Sequence, residues 1–109
     1  MIKVVFKDSK GEDWSGARDK DGNIFMRAES WSDIVKGVAV FRDGCDKDAK
    51  PEAILAEMIK HFERRFLAEG RSLPLPEGTV EDRAFALFRA LQLRDVVAFS
   101  YEGGSYGKA

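Results

Sequence analysis

Residues 51–70 read PEAILAEMIKHFERRFLAEG, and they carry the most regular helical pattern in this 109-residue chain. A turn of about 100° per residue gathers six apolar side chains on one stripe, namely Ile54, Leu55, Met58, Ile59, Phe62 and Phe66. Pro51 suits the first helical turn, where its missing N–H is not needed, and Gly70 suits the left-handed residue that closes a helix. Lys60 and Arg64 point away from the stripe and should face water. The segment therefore predicts a core helix that another layer of the protein must cover.

The residues before this helix predict strands. Residues 2–7 place apolar side chains at alternate positions, which is typical of a half-buried strand. Residues 14–18 and 24–28 then flank Asp21-Gly22, a strong signal for a hairpin turn. We therefore expect three strands in a meander.

Residues 30–44 support two interpretations. The capping-box pattern SWSD at residues 30–33 predicts a helical turn that ends at Gly37, followed by a strand over residues 38–41. The alternative is one helix through residues 31–42, which places Gly37 in its interior beside β-branched residues, at a cost in helix propensity. On that ground we expect the turn followed by a strand.

The residues after the central helix predict one more helix and one more strand. Residues 73–76 contain two prolines, which exclude a regular helix and an interior strand. Thr79 and Asp82 form a second capping box, and the apolar stripe that follows predicts a helix over residues 80–92. The last apolar run, residues 96–101, predicts a final strand.

These elements predict one α+β domain over residues 1–102, with a mainly antiparallel sheet (the N-terminal meander plus later strands) packed on two helices. The glycine-rich residues 103–109 should form a flexible tail. A hydrophobic content of 44% with 34% charged residues is ordinary for a globular protein.

The charge balance argues against two classes of protein. The chain has 18 basic and 19 acidic residues, a formal net charge of −1, whereas a dedicated nucleic-acid binder is usually basic and a DNA mimic strongly acidic. Because the single cysteine cannot form an internal disulfide, and no export signal is evident, we expect a cytoplasmic protein. No apolar run approaches the length that spans a bilayer, so no membrane partner is expected.

One group of acidic residues resembles the start of a calcium loop. Asp19, Asp21 and Asn23 imitate its first three ligands, but its sixth and twelfth positions hold Ile24 and Ser30 instead of Gly and Glu. A hairpin turn explains these residues better.

A second acidic group, Asp43, Asp46 and Asp48, surrounds Cys45. Three carboxylates could hold a weakly bound hard cation, but a solvated loop before a helix explains them better, and one histidine is too few for a zinc site. Cys45 and His61 are the only cysteine-type nucleophile and base, and each residue type is more often structural. With no phosphate-binding glycine loop and no marked carboxylate pair, we expect no catalytic residue, no cofactor and no metal.

The candidate partner-binding residues are basic or aromatic. Lys60, Arg64, Arg65 and Arg71 give the central helix a basic edge, which could meet an acidic protein patch or phosphates, or could simply be a solvated face. Trp14 shares a mixed strand face with Arg18, so that its partial exposure is expected. Three other aromatic side chains could be core or interface, namely Phe25, Trp31 and Tyr101.

The segment from Gly44-Cys45 through Glu52-Ala53 to residues 69–76 (EGRSLPLP) resembles HicB-like antitoxins. These proteins have N-terminal strands, a Gly-Cys before a long helix, and a Glu-Gly segment with two prolines after it. The resemblance implies a small α/β core and a protein that neutralises its partner by covering the partner's active site. Residues 79–92 predict a helix where those antitoxins return to a strand, and no ribbon-helix-helix or helix-turn-helix pattern follows. These departures argue against direct DNA binding more than against the small α/β core.

The leading hypothesis is a small non-catalytic module that binds and neutralises or modulates a partner protein. An antitoxin, an immunity protein or a phage-type inhibitor such as an anti-CRISPR would fit, and a homodimer could form through the first or the last strand as an unpaired edge. The alternatives are an accessory protein that binds nucleic acid through the basic helix edge, and a small enzyme.

Overall fold

The computed structural model describes residues 1–7, 9–43, 50–73 and 75–102. The elements occur in the order β1 (Ile2–Phe6), β2 (Phe25–Ala28), α1 (Trp31–Asp43), α2 (Pro51–Ala68), α3 (Val80–Leu93) and β3 (Val97–Tyr101). The strands form one antiparallel sheet, and the helices cover one of its faces. The predicted α+β fold class is confirmed, with three described helices rather than two.

β1 is the central strand of the sheet, in the order β2-β1-β3. Val4 lies opposite Met26 on one side and Phe99 on the other. Alternation along β1 buries Ile2, Val4 and Phe6, as the sequence predicted. A homodimer through the first strand is therefore wrong as a prediction, because both edges of β1 are already paired. The last strand, β3, is an edge strand.

An aromatic cluster joins the helices to the sheet. Trp31 of α1 is only 2% exposed, and its ring centroid lies 5.2 Å from that of Phe88 of α3 and 4.9 Å from that of Phe99 of β3. α2 packs in turn on α1 and α3 and buries Leu55, Met58, Ile59 and Phe66 of its stripe. The core therefore lies between the sheet and the helical layer.

Residues 31–43 form one continuous helix, so the preferred turn and strand were wrong. Its buried side chains recur at helical spacing, namely Trp31, Ile34, Val35, Val38 and Ala39. Gly37 lies where α1 crosses β2, and a Cβ at this position would come within 2.9 Å of the Met26 sulfur. Gly37 thus permits close packing instead of ending the helix.

Residues 14–18 do not form the middle strand of a meander. They cross the end of α1, where the Ser15 N–H donates to the Phe41 carbonyl at 3.0 Å. Their one described sheet-like contact is an isolated bridge between Arg18 and Ile24. The prediction failed because the partner of this segment is a helix end that is distant in sequence.

The predicted hairpin turn is present at Asp21-Gly22. The Gly22 N–H donates to the Asp19 carbonyl at 3.0 Å, and Gly22 has a φ of +83°. The Asp19 carboxylate accepts from the backbone N–H of Asp21 at 2.9 Å and of Asn23 at 3.0 Å. The residues that imitate a calcium loop are therefore used in the turn, and the described residues contain no group of three or more potential metal ligands.

The helix ends follow the sequence signals. The Ser30 hydroxyl accepts from the Asp33 N–H at 3.2 Å, and the Thr79 hydroxyl accepts from the Asp82 N–H at 3.1 Å. Gly70 follows α2 with a φ of +73°. Of the helices in the described ranges, none combines the length and apolarity that a membrane span requires.

Several predictions lie outside the described part of the chain. They concern the acidic group around Cys45, the side chain of Asp43, the pairing of Cys45 with His61, the Gly44-Cys45 part of the antitoxin resemblance, and the tail at residues 103–109.

Candidate functional site

A cleft of about 500 Å³ opens between the loop after β1, the end of α1, the middle of α2 and the turn from α3 to β3. Its aromatic lining comes from Phe6, Trp14 and Phe62. Its cationic side chains are Lys7, Arg42, Arg65 and Arg94, and its carboxylates are Glu12 and Asp95. The cleft therefore combines an apolar wall with an excess of positive charge.

Hydrogen bonds of a buried serine and an aromatic contact fix the loop after β1. The buried Ser9 hydroxyl donates to the Phe6 carbonyl at 2.5 Å and accepts from the Ile24 N–H at 2.7 Å. The Trp14 ring packs on Phe6 with a centroid separation of 5.3 Å. These contacts place the half-buried indole of Trp14 on the cleft wall.

Arg18 organises the same loop. Its guanidinium donates to the carbonyls of Ser9 at 3.1 Å, Glu12 at 2.6 Å and Gly22 at 2.9 Å. Two longer hydrogen bonds reach the carbonyls of Lys10 and Trp14. Arg18 was predicted as a partner contact, but the structure places its donors on the backbone that carries Trp14.

α2 supplies the opposite wall through His61 and Arg65. These residues are one helical turn apart, with Phe62 beside both. The Phe62 ring centroid lies 5.0 Å from that of His61 and 5.8 Å from the Arg65 guanidinium carbon. The aromatic ring thus supports both polar groups at the cleft.

The other predicted basic residues do not line the cleft. Lys60 and Arg64 are exposed on α2, and the Lys60 ammonium lies 3.9 Å from the Glu57 carboxylate. Arg71 is exposed just after α2. Of the six candidates, the structure brings Trp14 and Arg65 together at the cleft.

Positive charge converges on His61. Burial is the largest cause of its lowered pKa, whose ordinary value is 6.5. The positive charges of Arg42, Arg65 and Arg64 lower that pKa further. The lowered pKa favours the neutral imidazole of His61 at neutral pH, and Arg42 of α1 and Arg65 of α2 line the same cleft.

Two other cations at the cleft are paired with carboxylates. Lys7 forms an ion pair with Asp95, and Arg94 forms one with Glu69. The Arg94 guanidinium also lies 4.7 Å from the Phe66 ring centroid. These pairs fasten the turn before β3 to β1 and to the end of α2.

Sequence reasoning missed Arg42 as a site residue because it expected a strand there. In a helix, Arg42 follows Val38 by four residues and continues the buried stripe of α1. A charged residue at the end of a buried helical stripe is the signal that could have identified Arg42 as a site residue.

The remaining aromatic candidates divide between the core and the surface. Trp31 is core. Phe25 is half-buried on the sheet face away from the helices, with the Lys3 ammonium 5.2 Å from its ring centroid and the Arg27 guanidinium carbon 5.1 Å away. Tyr101 is half-buried at the end of β3.

The described lining is suited to binding an anionic group beside an apolar one. Guanidinium groups donate paired hydrogen bonds to carboxylates, and Trp14 and Phe62 provide aromatic surface next to them. The Ser9 hydroxyl is already engaged with two backbone groups.

Comparison with protein-family models, with curated proteins and with solved structures gives no match to this chain.

Proposed function

We propose that this protein is a non-catalytic binding module that neutralises or modulates a partner protein. The observation that carries the proposal is a cleft lined by Trp14 and Arg65, with the exposed Arg64 next to Arg65 on α2. Arginine and tryptophan are the residues most enriched where protein interfaces bind most strongly. Because the whole chain carries a net charge of only −1, this basic surface is local and suited to a specific acidic patch.

An antitoxin, an immunity protein and a phage-type inhibitor such as an anti-CRISPR all act by covering a surface of the protein that they neutralise. The resemblance of the central segment to HicB-like antitoxins supports the first of these. On the proposed function the protein acts in the cytoplasm.

Self-association through β3 is part of the proposal. The Phe99 N–H on the β3 edge donates to the side-chain oxygen of Gln92 at 2.8 Å instead of to a neighbouring strand. A homodimer through this edge would form when Gln92 releases that N–H.

A second candidate is an accessory protein that binds nucleic acid. It is favoured by Lys60 and Arg64, which extend the cations of the cleft along the exposed side of α2. Contacts of this kind with phosphates would give an affinity that falls steeply with salt.

The experiment is affinity capture of the tagged protein from the lysate of its own host, with and without nuclease. The test variant is Arg64→Glu combined with Arg65→Glu, and the control is Arg89→Glu, an exposed arginine of α3 outside the cleft lining. We expect to capture one stoichiometric protein, with or without nuclease. This protein should bind Arg89→Glu normally and bind the double variant at least about tenfold more weakly.

Two outcomes would count against the proposal. If the capture disappears after nuclease treatment, the result supports the second candidate, an accessory protein that binds nucleic acid. If a partner binds the double variant as tightly as it binds the natural protein, Arg64 and Arg65 do not contribute to binding.

A further inference from the structure

We propose that the cleft receives an acidic peptide segment of the partner protein, with a carboxylate beside an apolar or aromatic side chain. This inference rests on the proposed function and specifies which partner chemistry the site recognises. The carboxylate would lie against Arg65 and His61, and its apolar neighbour against Trp14.

The size of the cleft fits this occupant. A volume of about 500 Å³ lies within the range of ligand-binding pockets. It holds a pair of adjacent side chains more readily than a folded element, because an α-helix with its side chains is about 10 Å across or more.

The polar groups are arranged for a carboxylate. Arg65 is exposed at the cleft and is held beside the Phe62 ring, so its planar donors are free to turn toward a ligand without losing that support. The neutral imidazole of His61, one turn earlier, adds an N–H donor. A carboxylate can accept from both groups at once.

The aromatic wall is already in its binding position. The Phe6 ring and the backbone that Arg18 holds fix the loop of Trp14. A side chain that is positioned before binding loses less conformational entropy in the complex. Half-burial leaves part of the indole available for an apolar neighbour of the carboxylate.

The carboxylates of the cleft favour a peptide over a nucleic acid. Glu12 and Asp95 line the same opening as the arginines, and both residues are exposed. A phosphate backbone carries a charge at every nucleotide and would be repelled by Glu12, although Asp95 is already paired with Lys7. A single carboxylate with an uncharged neighbour can bind the arginine side of the cleft without approaching Glu12.

The probe is a set of short peptides flanked by Gly and Ser, in which Glu or Asp stands next to Phe or Leu. Trp14 provides the signal, since acrylamide quenches its half-buried indole while Trp31, which is 2% exposed, is shielded. We expect at least one peptide to protect Trp14 from quenching at low salt. The version with Gln or Asn in place of the acid should protect it about tenfold more weakly or worse.

Protein variants separate the site from general charge effects. Arg65→Gln should weaken peptide binding at least about tenfold, while Arg89→Gln on α3 should leave it unchanged. Trp14→Phe should abolish the change in quenching. Thermal unfolding followed by circular dichroism confirms that each variant is folded.

The proposal is overturned if no acidic peptide protects Trp14, or if a single-stranded oligonucleotide protects it and the peptides do not. It is also overturned if the Gln and Asn peptides bind as well as the acidic ones. These results leave the proposed function open to its own test, because a captured partner that depends on Arg64 and Arg65 could still dock outside the cleft.

Discussion

Gly70 and Asp95 occupy the same position after two different helices. Each follows the helix cap with a positive φ, +73° for Gly70 and +66° for Asp95. In both cases the next residue donates its N–H back into the last helical turn, from Arg71 to the Phe66 carbonyl at 2.8 Å and from Val96 to the Leu91 carbonyl at 2.9 Å. Aspartate tolerates this conformation less well than glycine, but at Asp95 it also supplies the ion pair with Lys7 at the cleft.

Gly16 shows how one missing side chain can matter. A Cβ at this position would lie 2.4 Å from the nearest ring carbon of Phe41, at the end of α1. We expect Gly16→Ala to lower the free energy of unfolding by about 1–3 kcal/mol, because the aromatic ring or the loop must move. Urea unfolding followed by circular dichroism measures the change.

Gly11→Ala is the matched control, since a Cβ at Gly11 meets nothing within 4 Å. Its unfolding free energy should stay within about 1 kcal/mol of the natural protein. Equal losses in the two variants would show that the contact of residues 14–18 with α1 is not what stabilises this loop.

At the scale of elements, α3 caps the beginning of α1. The Glu81 carboxylate in the first turn of α3 accepts from the backbone N–H of Trp31 at 2.6 Å and of Ser32 at 3.0 Å. These are N–H groups that a helix leaves unsatisfied at its N-terminus. One negative side chain therefore connects two helices and lies near the N-terminal ends of both.

We expect Glu81→Ala to destabilise the protein by roughly 1–2 kcal/mol, since the first turn of α1 loses its acceptor. Asp82→Ala is the control, because Asp82 stands in the same first turn of α3 and its backbone N–H, which the substitution keeps, donates to the Thr79 hydroxyl. Thermal unfolding of both variants measures the difference. If Glu81→Ala loses no more stability than Asp82→Ala, the carboxylate of Glu81 stabilises only α3 and not the first turn of α1.

At the scale of the whole molecule, burial and charges from two helices make the stability contribution of His61 depend on pH. The pKa of His61 is lowered by burial and by the charges of Arg42, Arg65 and Arg64. The unfolded chain, with an ordinary pKa of 6.5, therefore takes up a proton at a higher pH than the folded protein does. The contribution of His61 to stability is thus lost as the pH falls below the unfolded value.

The prediction concerns the slope of stability against pH. Between about pH 7.5 and about pH 5.5, the natural protein should lose more stability than His61→Gln, which has no proton to bind in this range. Urea unfolding at a series of pH values measures both proteins. Parallel curves would show that folding does not lower the pKa of His61.

The sequence by itself determined the features that depend on neighbouring residues. The bounds of α2, the caps at Ser30 and Thr79 and the turn at Gly22 follow from local hydrogen bonds and backbone preferences. The alternation of β1 likewise indicated which of its side chains are buried. Each of these signals depends on a few consecutive residues, so it can be recognised without knowing the fold.

Only the tertiary structure decided the continuation of α1 through Gly37, the path of residues 14–18 and the existence of the cleft. Gly37 packs against Met26, and Gly16 packs against Phe41, contacts between residues far apart in the sequence. Burial of a complete helix stripe contributes several kcal/mol, whereas a glycine inside a helix costs about 1 kcal/mol, so packing outweighed local propensity. The cleft also depends on the tertiary structure, because its charged groups come from elements that only the folded core brings together.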